Sequence, residues 1–135
     1  MKETEFMSLE QAIHNRWATD GTLSALLPAG RLFTGRAEGE LELPYAVLER
    51  QETKPSLRTS SGTTIDEVQL RITIWSVDLD TAQSVAAAVE QRFDGADFTL
   101  FAAVRLMRRT NRREQIDADG RWRVELDFRA IEEHG

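Results

Sequence analysis

Five arginines, Arg105, Arg108, Arg109, Arg112 and Arg113, fall within nine residues of a chain whose net charge is −6. Guanidinium groups at this density bind phosphates or carboxylates through paired hydrogen bonds. One reading is a nucleic-acid patch. The other is a solvated strand and turn whose arginines pair with carboxylates on a neighbouring strand or another subunit. No aromatic residue interleaves with the run, and the acid excess opposes non-specific binding to DNA. The protein-interface reading is the better supported, because arginine is enriched at such interfaces.

The remaining reactive residues do not form a site. His14 falls off the apolar stripe of its segment and is expected to face solvent, and His134 is expected at a frayed end. Neither lies at metal-ligand spacing from a carboxylate cluster. Asp78 and Asp80 read as helix caps, and Asp94 and Asp97 flank a glycine at a helix end. Asp117-Ala118-Asp119-Gly120 superficially resembles the start of a calcium loop, but a hairpin turn explains the same residues. No Gly-x-Ser-x-Gly nucleophile elbow occurs, and Gly35-Arg36-Ala37-Glu38-Gly39 lacks the lysine of a phosphate loop. Ser56, Ser60 and Ser61 sit in a polar stretch where serine is expected by composition. The chain contains no cysteine, which removes disulfides, thiolate metal sites and cysteine catalysis. No catalytic residue, cofactor or metal ligand is assigned, and the chain reads as a non-enzyme.

The whole chain must position whatever these residues do. Its 135 residues fit one domain, and 41% hydrophobic with 30% charged residues is a globular balance. The start, Met1-Lys2-Glu3-Thr4-Glu5, is polar, and no apolar run follows it, so the expected compartment is the cytoplasm. No stretch has the roughly 18 apolar residues of a membrane span.

Periodicity supplies the elements. Ser8 with Gln11 makes a capping box for a helix carrying Leu9, Ala12, Ile13 and Trp17 on one stripe, with Arg16 at its edge. Asp20-Gly21 stops it. Thr22 is expected to cap a short turn through Leu23, Leu26 and Leu27 that Pro28 ends. Arg31 to Phe33 reads as a short strand, residues 35–42 as a polar loop, and Tyr45 to Gln51 as a strand opened by Pro44. Residues 54–63, rich in Ser, Thr, Pro and Gly, read as a mobile loop. From Thr64 to Trp75 the alternation is clean: Val68, Leu70, Ile72 and Ile74 face a core, while Gln69, Arg71 and Thr73 face water or a partner. Trp75 lies on that second face. It either anchors a partner or packs under the loop, the commoner fate of a tryptophan. Asp80 with Gln83 opens a second helix through Ala82, Val85, Ala86, Val89 and Phe93, which Asp94-Gly95 closes. A hairpin follows, with Val104, Leu106 and Met107 going out, a turn at Asp119-Gly120, and Trp122, Val124, Leu126, Phe128 and Ala130 pointing inward on return. The fold class is α+β: a two-layer sandwich of a mostly antiparallel sheet with two main helices on one face. The expected domain spans residues 1–135, with flexible ends near 1–6 and 133–135.

This order of elements resembles the tail-completion or tail-terminator-like minor tail proteins of long-tailed phages and prophages. The likeness is carried by Leu9-Glu10-Gln11-Ala12-Ile13, Leu23-Ser24-Ala25-Leu26-Leu27, Leu43-Pro44-Tyr45-Ala46-Val47-Leu48, the strand Val68-Gln69-Leu70-Arg71-Ile72-Thr73-Ile74-Trp75-Ser76, the helix from Thr81 to Phe93 and the closing strand pair. It covers roughly residues 8 to 132. The resemblance implies a structural protein without catalysis that caps the head-proximal end of the tail tube as a ring, commonly six-fold. The implied partners are further copies of itself, the tail-tube protein and the head–tail connector, with no membrane and no specific nucleic acid. On that reading Gln69, Arg71, Thr73, Trp75, Arg105, Arg108, Arg109, Arg112 and Arg113 are the expected contacts. Another small α+β binding module, such as a head–tail adaptor, a secretion-system component or a toxin–antitoxin partner, is the competing function.

Overall fold

The structure is a computed structural model that describes residues 9–35, 42–58, 62, 64–95 and 104–134. Helix α1 spans Leu9–Thr19 and buries Leu9, Ala12, Ile13 and Trp17, the stripe expected from helical spacing. Helix α2 spans Gly21–Leu26. Its cap is Asp20 rather than Thr22, because the Asp20 carboxylate reaches back to accept the Leu23 amide at 2.8 Å. The Trp17 indole donates to the Leu27 carbonyl at 2.7 Å, fixing the end of α2 against α1. A 3-10 turn over Ala29–Arg31 then leads into strand β1, Leu32–Thr34.

Strand β2 runs Tyr45–Arg58, directly after a cis Leu43-Pro44 bond. This corrects the expected loop: residues 54–58 continue the strand, because Lys54, Pro55, Leu57 and Arg58 stay in register with Glu67, Asp66, Ile65 and Thr64 of strand β3. The polar composition that suggests a loop is that of an outer strand, where proline and lysine are tolerated. The rest of the expected 54–63 loop, apart from Gly62, lies outside the described residues, as do residues 36–41 of the expected 35–42 loop. Strand β3 is Thr64–Ser76.

Helix α3, Leu79–Phe93, is capped by Asp78, whose carboxylate accepts the Thr81 amide at 2.8 Å. Asp80 instead lies inside its first turn. The helix ends at Asp94 and Gly95, whose φ of +83° suits a residue without Cβ. Strands β4, Val104–Ile116, and β5, Trp122–His134, form the closing hairpin. His134 belongs to β5, opposite Thr64. Long-range pairing with β3 holds that end of the strand.

The five strands are ordered β1-β2-β3-β5-β4. β1 and β2 are parallel and the other three pairings are antiparallel. Alternation sends Val68, Leu70, Ile72 and Ile74 of β3, with Val124, Leu126, Phe128 and Ala130 of β5, into one cluster with α1 and α3. Ala82, Ala86 and Ala88 are the small side chains that let α3 settle close to the sheet, and Trp17 meets Phe93 with ring centroids 6.3 Å apart. Full burial of each large aliphatic side chain contributes about 1.5–3 kcal/mol, so this layer is the main source of stability. The fold is the expected two-layer α+β sandwich, and among the described residues one face of the sheet carries no helix.

Candidate functional site: the helix-free face of the sheet

Among the described residues no layer covers the second face of the strands, and register decides which side chains meet there. Tyr45, Val47 and Glu49 of β2 lie opposite Trp75, Thr73 and Arg71 of β3. These in turn lie opposite Arg123, Glu125 and Asp127 of β5. Beyond them on β4 come Gln115, Arg113 and Asn111.

An aromatic row crosses one end of this face. Phe33 of β1 meets Tyr45 edge-on at 6.2 Å, and Tyr45 stacks on Trp75 at 6.3 Å. The guanidiniums of Arg121 and Arg123 lie 5.2 and 5.3 Å from the Trp75 ring centroid, within cation–π range. Trp75 is therefore only half-buried and packs on the open face. The expectation that it packs in the core is corrected, because its register partner is Tyr45 of an outer strand rather than an apolar helix.

Beside the row is a cavity of about 290 Å³ lined by Tyr45, Val47, Glu49, Arg71, Thr73, Trp75, Arg123 and Glu125. Val47 and Thr73 form its floor and are only 8% and 6% exposed, although no helix covers them. The Arg71 guanidinium spans the two carboxylate oxygens of Asp127 at 2.9 and 3.5 Å, and that hydrogen bonding raises its already high pKa. The Arg123 Nε is buried without a hydrogen-bond partner, while its terminal nitrogen donates to Gln115. Gln69 is exposed on the same face, opposite Arg129.

The structure divides the arginine run. A β-bulge between Arg109 and Asn111 leaves Thr110 as the extra residue and inverts the alternation beyond it. Arg109 and Arg112 point to the helix layer, where both bind Glu90 of α3 at 2.7 Å, and Arg112 also takes Glu114 at 2.8 Å. Arg108 and Arg113 point to the open face. Arg113 is half-exposed and 3.6 Å from Glu125, and among the described residues Arg108 is exposed without an ion-pair partner. Arg105 lies at a second register shift, between Val104 and Leu106, and its side chain falls outside the described residues. Two members of the run thus hold the protein's own helix, a role that leaves them poorly placed as outward contacts.

The other titratable residues have local duties. His14 is half-buried rather than solvent-facing: its ring bonds the Thr34 hydroxyl at 2.8 Å, and desolvation lowers its pKa. Asp117 accepts the Arg121 and Asp119 amides at 3.0 Å within the hairpin turn, and the Arg121 amide, the largest cause, lowers its pKa. Glu10, Arg50 and Glu132 tie α1 to the sheet, with Arg50 at 3.0 Å from Glu10 and 3.3 Å from Glu132. Among the described residues no group of three or more His, Asp or Glu side chains could hold a metal ion.

Phe33, Tyr45, Glu49, Arg121 and Arg123 are absent from the sequence-derived list. Each is separated in the chain from Trp75, and pairing between separated strands is not written in period alone. The outward alternation of Arg121 and Arg123 in β5 was the one available signal.

A search of curated proteins gave no match. Among solved structures, a chain from the virion of a native gene transfer agent particle superposes with a TM-score of 0.75 at 20% identity, covering 94% of this chain and 96% of that one. At that identity the likeness establishes the shared fold. The tail completion protein gp17 family matches residues 11–133, nearly the whole chain. That span holds nearly all of the elements that suggested a tail-completion protein in the sequence, and the chain belongs to the tail completion protein gp17 family.

Proposed function

We propose that the chain is a structural subunit of a phage-type tail that closes the head-proximal end of the tail tube by assembling into a ring, without catalysis. The observation that carries this reading is the family match over residues 11–133 on a fold whose sheet has one face free of helix. A bare sheet face with half-buried tyrosine, tryptophan and arginine is the composition of a protein-binding surface. The strands at the two margins of the sheet are different, since β1 is three residues long and β4 is thirteen. A contact between unlike margins is heterologous, and repeated about an axis it closes a ring. The gene transfer agent chain belongs to a virion particle, which supports the same setting.

The test is the mass of the purified protein by light scattering over a wide concentration range, repeated in the presence of assembled tail tubes. A closed oligomer, alone or on tube ends, with halted tube growth is expected. A strict monomer that leaves tube length unchanged overturns the proposal.

A further inference from the structure

We infer that the ring contact is a charge-matched joint between the two margins of the open sheet face, in which Arg108 and Arg113 on β4 of one copy engage Glu49 and Glu52 on β2 of the next. This inference rests on the ring reading and assigns its residues.

Parallel pairing covers β2 only at Ala46, Val47 and Leu48, so from Glu49 onward β2 has no strand on its outer side among the described residues. At the opposite margin β4 pairs with β5 alone. Glu49 and Glu52 both lie on the open face, opposite Arg71 and Gln69. Among the described residues Glu49 has no ion-pair partner. Arg71 feels its charge, but the Arg71 guanidinium is held by Asp127. Glu52 has only an exposed contact with Lys54 at 3.7 Å, which screening makes weak.

On β4 the bulge leaves Arg108 and Arg113 facing the same way as these acids. Arg108 also lies directly opposite Arg129, a like-charge pair across strands that is unfavourable unless an acid joins it. Glu67 contacts Arg129 at 3.6 Å, and Arg108 is left without such a partner. The row that ends at Arg108 on one margin runs through Arg129 and Gln69 to Glu52 on the other. Side by side in one orientation, two copies therefore bring Arg108 beside Glu52 and Glu49. Three successive antiparallel pairings separate β2 from β4, so the abutting strands also run antiparallel. An incoming guanidinium meets a carboxylate at the rim of the 290 Å³ cavity and, behind it, the faces of Tyr45 and Trp75.

Because the chain lacks cysteine, the joint can be trapped directly. Glu52→Cys and Arg108→Cys in one chain, treated with a short bis-maleimide, should give a ladder of covalent oligomers, whereas each single cysteine variant stops at background. In parallel, the reversals Glu49→Arg with Glu52→Arg, and Arg108→Glu with Arg113→Glu, should each weaken self-association about tenfold or more at low salt. Mixing the two reversed proteins should restore it, since every joint then pairs an arginine margin with a glutamate margin. Wild-type assembly that neither reversal weakens, without a ladder, overturns the inference and leaves the ring reading standing. A wild type that stays monomeric, with and without tubes, and gives no ladder overturns both. If a reversed protein fails to fold by circular dichroism, the cysteine pair decides alone.

Discussion

The three-residue cluster Glu10–Arg50–Glu132 shows how much a single side chain can hold. Glu132 is only 5% exposed, and Arg50 bridges it to α1. Arg50→Met should cost about 2–3 kcal/mol, because it removes the ion pairs that join Glu10 and the buried Glu132, and a shift of the urea midpoint would measure it. The hydrogen bond from Arg50 holds Glu10 below its ordinary 4.5, so its contribution is full above that pH and is lost as pH falls through the lower folded value. The variant should therefore lose that part of the acid sensitivity, and an unchanged profile would show that Glu10 is not the group responsible. His14 works in the other sense. Burial lowers its pKa from 6.5, so the folded state resists its protonation and stability falls as pH drops below 6.5. His14→Gln should flatten the stability curve just under that pH, read by thermal unfolding at stepped pH. Neither role was legible in the sequence. Both depend on partners far away in the chain, Arg50 and Glu132 for one and Thr34 for the other, and helical phase alone put His14 in water.

Among the elements, those with uninterrupted period were readable and those decided by pairing were not. β3 and β5 alternate cleanly, and the faces assigned to Val68 through Ile74 and to Trp122 through Ala130 hold. The end of β2 was misread because a strand at the margin of a sheet, covered on one side only, tolerates the composition of a loop. Of the two caps expected for α3, Asp78 holds and Asp80 lies one turn inside, while Asp20 took the position assigned to Thr22, since its side chain already met the free amide. Asp20→Ala should cost about 1–2 kcal/mol, measured by denaturant unfolding, as it removes the cap of α2 and the ion pair with Arg92. An effect near zero would mean that the Trp17 indole bond to Leu27 is enough to fix α2.

For the molecule as a whole, the two faces of the sheet predict opposite responses to truncation. Phe128→Ala, in the helix-covered layer, should cost about 3–5 kcal/mol and leave any surviving folded protein competent to assemble. Trp75→Ala, on the bare face, should cost about 1–2 kcal/mol and weaken assembly far more than folding, because it removes the stacking partner of Tyr45 and the surface under Arg121 and Arg123. Calorimetry and light scattering on the same samples separate the two, and equal loss of both in each variant would contradict the division. The fold class and the family were legible because apolar period and element order survive in the chain at long range. The composition of the bare face was not, because register assembles it from five strands. The extra residue at Thr110 marks a place where the gene could shorten without changing which way β4 faces. Loss of that one codon would close the bulge and leave Arg112 opposite Leu126 and Arg113 opposite Glu125, so every arginine in β4 would keep its face. Within such a lineage, an in-frame deletion of Thr110 should be tolerated, because it moves no arginine to the other face.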